Sequence, residues 1–148
     1  MKLIKCAPML LLLFCAACSS NVMDEAETVR LDYWEREEST GLYREEYIDE
    51  TNGLGMFENA VNSAEKLKNQ NVIATKPLLS LEFMTESEER RSYHLWVTEG
   101  GEGYLQSLAP QKNRTYQLKP NSTEKLTEFF STKENVEILQ GDIEFEQR

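Results

Sequence analysis

Between Leu79 and Val97 the chain alternates twice with a period of two. Leu79, Leu81 and Phe83 alternate with Ser80, Glu82 and Met84. After the charged segment ESEERR, Tyr93, Leu95 and Val97 alternate with Ser92, His94 and Trp96. Successive side chains of a strand point to opposite faces, so each run predicts a strand with one apolar face. Joined as a hairpin, the runs set Phe83 opposite Tyr93, Leu81 opposite Leu95 and Leu79 opposite Val97. A slip of one residue would break every apolar pair. Val29, Leu31 and Tyr33 alternate with Arg30, Asp32 and Trp34 in the same way and predict an earlier strand. Past the turn STGL, a weaker strand runs through Tyr43, Tyr47 and Ile48. The turns TEGGEG and APQKNR lead to YLQSL and TYQLK, which extend the hairpin into a meander.

Two segments change period. Phe57, Ala60, Val61, Ala64 and Leu67 fall on one face of a helix, with Glu58, Asn59, Glu65, Lys66 and Lys68 on the other. Asn52 is the expected cap, because its side-chain oxygen can accept an orphan backbone N–H. Pro120 followed by Asn121 and Ser122 opens a second helix, whose apolar stripe is Leu126, Phe129 and Phe130. The pattern predicts an α+β domain over residues 29–133, an antiparallel sheet of about four to six strands with two helices packed on one face. Such a sheet can leave its other face wet. Residues 134–148 carry Val136, Ile138, Ile143 and Phe145 among acidic residues. They read either as one or two edge strands or as an acidic tail.

The N-terminus follows another logic. Lys2 and Lys5 precede an apolar run of 12 residues, Cys6 to Ala17, interrupted only by Pro8. As a helix the run would be roughly 18 Å long, short of the ~30 Å hydrocarbon core of a bilayer. A basic start, a short apolar centre and small residues at the end describe an export signal over residues 1–17. Its end, Cys15-Ala16-Ala17-Cys18, resembles the lipobox of bacterial lipoproteins, in which Leu, a small residue and Gly or Ala precede the cysteine. Cys15 stands where Leu is usual. The resemblance implies cleavage before Cys18 and a diacylglycerol on its thiol. Residues 18–28 would then be the lipidated N-terminus and tether. The alternative is ordinary secretion, with cleavage near Cys18 or Ser20.

This processing accounts for all three cysteines. Cys6 and Cys15 leave with the signal and Cys18 is the anchor, so the domain has no thiol and no disulfide. The whole chain counts 16 basic and 26 acidic residues. Loss of Lys2 and Lys5 leaves 14 against 26, a net charge of −12. An acidic surface repels nucleic acid and anionic headgroups. Membrane contact is therefore expected through acyl chains, at ~0.8 kcal/mol per buried methylene. The expected location is the cell membrane, facing outward, or the outer membrane in a cell that has one.

Little in the chain points to catalysis. His94 is the single histidine. In the hairpin set out above it lies beside Glu82, a carboxylate–imidazole pair that would raise its pKa. It reads either as a proton-handling site or as a surface histidine paired with a carboxylate. Trp96 shares its face, and Trp34 joins them if the first strand enters the same sheet. Trp96, His94 and Glu82 therefore form a candidate binding face, unless a loop or the tail folds over Trp96. One histidine and no free cysteine predict no transition-metal site and no cofactor. The segment DETNGLGMFE misses the calcium-loop pattern, since Thr51 stands where an acid is needed and Gly53 falls one position early. GGEG lacks the strand-to-helix setting of a phosphate loop.

The helix MFENAVNSAEK, the hairpin SYHLWVTEGGEGYL and the later TYQLKPNSTEKL together resemble a small group of bacterial lipoproteins, the YhfM-like lipoproteins. The matching pieces span about residues 29–130, with YHLW, residues 93–96, the most distinctive. The resemblance implies a compact α+β domain at the end of a lipid anchor and brings no catalytic residues with it. The expected function is a non-enzymatic, membrane-anchored extracytoplasmic protein that presents its domain to a protein or small ligand. The alternatives are a lipid-anchored hydrolase using carboxylates or His94, and an accessory or inhibitory lipoprotein that binds a secreted protein.

The anchor has a direct check. Mass spectrometry of the mature N-terminal peptide should find acyl mass on Cys18, and Cys18→Ser should release the protein or leave it unprocessed. An unmodified N-terminus at another residue would assign ordinary secretion instead.

Overall fold

The computed structural model describes residues 26–34, 44–68, 71–110, 114–134 and 136–146. The expected export segment, Cys18, most of the expected tether, the STGL turn and Tyr43 lie outside these residues. In chain order the elements are β1 (Thr28–Tyr33), β2 (Arg44–Ile48), α1 (Thr51–Ser63), β3 (Glu65–Lys66), β4 (Leu79–Met84), β5 (Arg90–Val97), β6 (Gly103–Ala109), β7 (Thr115–Gln117) and α2 (Pro120–Ser131). The strands form one antiparallel sheet in the order β2-β1-β4-β5-β6-β7-β3. The fold is α+β, as the pattern predicts, but the sheet has seven strands rather than four to six. The added strand is β3, two residues that pair with β7 directly after α1. Two residues have no periodicity to read.

The β4–β5 hairpin forms in a different register from the expected one. Leu79 pairs with Leu95, Leu81 with Tyr93 and Phe83 with Arg91. This lies two residues from the expected register. A two-residue shift returns every side chain to its own face, so apolar alternation does not distinguish the two. The turn does. Met84 pairs with Arg90 across Thr85–Glu89, which Thr85 closes: Glu88 N–H donates to Thr85 O at 3.1 Å and Thr85 Oγ1 to Glu89 O at 3.3 Å. Glu88 takes a left-handed φ of 60° there. The consequence is local but important: His94 faces Ser80, and Glu82 faces Ser92.

One face of the sheet is the main core. Val29, Leu31, Leu79, Leu81, Phe83, Leu95, Val97 and Leu105 are buried on it. α1 contributes Leu54, Phe57, Ala60 and Val61, and α2 contributes Leu126 and Phe130. Tyr33 of β1 meets Phe130 edge-on at 6.2 Å. Each such side chain contributes about 1.5–3 kcal/mol by leaving water, which a thiol-free domain must rely on. The helix ends differ from expectation. Glu50, in extended conformation, is the N-cap of α1 and makes no side-chain capping bond, so Asn52 lies inside the first turn. α1 stops at Ser63, and Leu67 instead donates its N–H to Thr115 O at 2.9 Å beside β3. α2 begins at Pro120, whose fixed φ suits the first helical position.

The other face is covered over half its width. Residues 72–75 and 143–146 run antiparallel as a ribbon, with Ala74 N–H to Glu144 O and Glu146 N–H to Val72 O both at 2.8 Å. Phe145 packs edge-on to Tyr104 of β6 at 5.4 Å. Leu139 bridges to Thr98, and both Leu139 and Ile143 are buried. The C-terminal stretch, read as edge strands or an acidic tail, thus meets the sheet through single bridges and two buried side chains.

Gly103 shows how closely the far end of the sheet packs on α2. A Cβ there would lie 2.5 Å from Thr123 Oγ1 and 2.8 Å from Leu118 Cδ1. Gly103→Ala should cost about 1–3 kcal/mol of stability through overpacking, read as a lower urea midpoint with an unchanged slope. An unchanged midpoint would contradict this contact.

Candidate functional site

Strand alternation builds a polar row across the second face. Asp32 of β1 pairs with Ser80 of β4, Ser80 with His94 of β5, His94 with Gln106 of β6, and Gln106 with Thr115 of β7. The ribbon covers the β5–β7 end. Trp96 Nε1 donates to Thr75 O at 2.7 Å and Thr115 Oγ1 to Asn71 O at 2.7 Å. Trp96 is 1% exposed, so the alternative in which a loop closes over it is the one the structure takes. The reason is a donor matched to a carbonyl: a buried indole N–H needs an acceptor, and the segment before β4 carries one.

The β2-β1-β4 end is different. Trp34 and Tyr47 are exposed at 40% and 55%, and they are the exposed large hydrophobic residues among those described. Both belong to this face, Tyr47 opposite Arg30 and Trp34 beyond Asp32. Arg30 pairs with Asp32 at 3.0 Å and with Glu82 at 3.6 Å. Arg90 adds a second cation to Glu82 at 3.3 Å. Glu82 is therefore held by two arginines rather than by His94, a direct result of the register. Arg30, Asp32 and Glu82 are partly buried in these pairs and Arg90 is exposed, so the network fixes side-chain positions across this half of the face.

His94 sits where the two ends meet. Its ring lies edge-on between Trp34, at 5.2 Å, and Trp96, at 5.9 Å. Trp34 Nε1 donates to Ser80 Oγ at 2.9 Å, and Ser80 Oγ lies 3.0 Å from His94 Nδ1. Burial lowers the pKa of His94 below its ordinary value. Trp34, Ser80 and His94 thus form one hydrogen-bonded row, in which the Ser80 hydroxyl accepts from the indole and shares a hydrogen bond with a neutral imidazole. The expected carboxylate-raised histidine is thus replaced by a neutral one whose partner is a hydroxyl. Lys76 Nζ lies 5.9 Å from the Trp34 ring, adding a cation over the indole face.

A hydroxyl within hydrogen-bond reach of an imidazole is the spacing of a nucleophile and its base. Here the hydroxyl also accepts from an indole. Among the described residues no three of His, Cys, Asp or Glu gather as metal ligands. Asp32 Oδ1 and Gln106 Nε2, near the two ends of the row, are buried without a hydrogen-bond partner among the described residues. Apolar side chains at these places would avoid the desolvation that such atoms incur.

Of the sequence-level candidates, the structure brings His94, Trp96 and Trp34 together and leaves Glu82 one pair away. Ser80 was missed because it became His94's neighbour only through the register that the turn selects. Cys18 lies outside the described residues.

The family model described as YhfM protein matches residues 35–135, from just after β1 to just past α2. No curated protein and no solved structure matches significantly.

The state of His94 can be measured. Its pKa is depressed in the fold, so above the unfolded value of 6.5 the imidazole is neutral in both states and pH has no effect through it. As pH falls through 6.5, the unfolded chain takes up a proton that the folded domain resists, and stability falls. Urea unfolding from about pH 7.5 to 5.5 should show this decline, flattened in His94→Gln. Stability that rises as pH falls over that range would mean a raised pKa and a carboxylate partner.

Proposed function

The chain belongs to the YhfM family, and on that premise we propose that it is a membrane-anchored extracytoplasmic lipoprotein whose domain makes contact through the open half of its sheet. The observation that carries the reading is the exposure of Trp34 and Tyr47 on one face of a sheet whose other half is closed. Large aromatic side chains held in place by polar neighbours are the usual anchors of binding surfaces. Trp34 is held on both sides, by its hydrogen bond to Ser80 and by the edge of His94. An anchor with its rotamer already fixed loses little entropy on binding.

The tether supports the location. Cys18 stands eight positions before Ala26, whose N–H donates to Glu58 Oε1 at 2.8 Å. Eight residues reach roughly 28 Å at most, so a lipid on Cys18 keeps the domain close to the bilayer. The mature charge of −12 argues against basic-patch adhesion, which leaves the open face for a partner instead. Trp96 and Glu82 act as support within this reading: Trp96 fixes the ring of His94 from beneath the ribbon, and Glu82 orders Arg30 and Arg90.

A second reading, hydrolysis, has one specific observation in its favour, the 3.0 Å spacing of Ser80 and His94. It needs an acid on the other ring nitrogen and donors for an oxyanion. Trp34 on the Ser80 hydroxyl favours the binding reading.

Crosslinked capture from native membranes separates the residues. Trp34→Ala should weaken capture by roughly 30-fold, the effect of losing an anchor of about 2 kcal/mol, with the urea midpoint little changed. If Trp34→Ala and Tyr47→Ala both capture like wild type, the open half is not the contact surface.

A further inference from the structure

The sheet ends in two edge strands, β2 and β3. β3 is two residues long, and so short an edge gives a further strand little to pair with. β2 is five residues long. The direction of its backbone groups follows from its neighbours. Trp34 N–H donates to Leu78 O at 3.1 Å where β1 runs beside the start of β4. Bonded and non-bonded pairs alternate in an antiparallel ladder, so Arg30 and Asp32 bond to β4, while Val29, Leu31 and Tyr33 bond to β2. Their partners in β2 are Ile48, Glu46 and Arg44. Glu45 and Tyr47 therefore turn their N–H and C=O groups outward, and among the described residues no segment pairs with them there.

Edge strands are commonly guarded by charge. On the helix side of β2 the charges are engaged elsewhere. Tyr33 Oη donates to Glu46 Oε2 at 3.0 Å, and Lys133 is bonded to the same carboxylate. Arg44 donates to Glu134 O and lies 5.6 Å from the Tyr33 ring. These contacts fasten β2 to the end of α2 and leave its outer edge accessible. On the open side of the sheet the edge shows Glu45, then Tyr47, then Asp49 just past the strand, all exposed. The spacing is two, so an acid, an aromatic ring and a second acid line one side of the edge.

We infer that β2 accepts an extended cationic segment of a partner protein as a further strand, with lysine or arginine opposite Glu45 and Asp49 and an apolar residue opposite Tyr47. The inference rests on the reading of the open half as the contact surface, which Tyr47 borders, and gives that surface its partner. Strand addition draws affinity from main-chain bonds and specificity from alternate side chains. Opposite charges and aromatic contacts across a strand pair are both favourable. The partner's pattern is cation, any residue, apolar, any residue, cation, which reads alike in either strand direction. A second copy of this chain is a poor occupant. In registers that keep each side chain on its own face, β2 paired with itself sets Glu45 on Glu45, Glu46 on Glu46, or Glu45 on Asp49. Two chains of net charge −10 also repel.

The test uses the full chain in an uncharged detergent and a capped fluorescent peptide, Thr-Lys-Thr-Tyr-Thr-Lys-Thr, read by anisotropy. Its control, Thr-Thr-Lys-Tyr-Lys-Thr-Thr, has the same composition and charge but puts both lysines on the other side of the strand. The first peptide should bind saturably, tighter than the control by roughly fivefold. Glu45→Thr removes the charge but keeps the outward N–H, and should weaken binding by roughly threefold. Glu45→Pro removes both, and should weaken it by roughly 30-fold. Proline is tolerated where an edge N–H faces away from the sheet, so Glu45→Pro should unfold cooperatively in urea like wild type. Glu46→Pro, whose N–H bonds to Leu31, should lower the midpoint. Equal binding of the two peptides, no saturable binding of the first, or full binding by Glu45→Pro overturns the inference. So does a concentration-dependent dimer that Glu45→Pro abolishes, which would give the edge to a second copy. Capture from native membranes separates this inference from the reading it rests on. Glu45→Pro should weaken capture as Trp34→Ala does. If Trp34→Ala weakens it and Glu45→Pro does not, the open half stands as the contact surface and strand addition fails.

Discussion

The structure depends on shared parity in three neighbouring strands. β1, β4 and β5 each place apolar residues at alternate positions, and pairing keeps those positions on one face: Leu31 beside Leu81, and Leu81 beside Tyr93. That face receives α1 and α2. The intervening residues have no choice of side, so Asp32, Ser80 and His94 are brought into one row. Core and candidate site are two results of the same alternation. A one-residue slip would exchange them, moving the polar row under the helices and the apolar face into water.

A seven-stranded sheet with both helices on one side leaves a wide second face. The chain covers half of it with the segment before β4 and the segment after α2, joined as a ribbon. The indole of Trp96 fixes the ribbon at Thr75 O. The border between covered and open halves passes through His94, whose ring touches both tryptophans. The ordered rigidity of Trp34 is therefore inherited from the core, through Trp96, His94 and Ser80. A binding surface resting on a packed sheet holds its shape better than one carried on loops.

Much of this was legible in the chain. The β4 and β5 runs, the β1 alternation and both helical stripes follow from periodicity, because burial on one side imposes it. What alternation cannot convey is a shift of two residues. The choice between Glu82 and Ser80 as His94's neighbour rests on how Thr85–Glu89 closes, a matter of local hydrogen bonds and one left-handed residue. The fate of Trp96 was open for a related reason. Whether a loop covers a residue depends on contacts between segments far apart in sequence, here Thr75 with Trp96 and Glu144 with Ala74. The two-residue β3 leaves no periodic trace.

The central claim is that one half of the second sheet face is closed over Trp96 and the other is open at Trp34. The chain has two tryptophans, so fluorescence separates the halves directly. With Trp34 replaced by Phe, the remaining emission from Trp96 should be blue-shifted and resist iodide and acrylamide. With Trp96 replaced by Phe, the emission from Trp34 should be red-shifted and readily quenched. Equal quenching of the two variants, in domains shown by circular dichroism to be folded, would contradict the account.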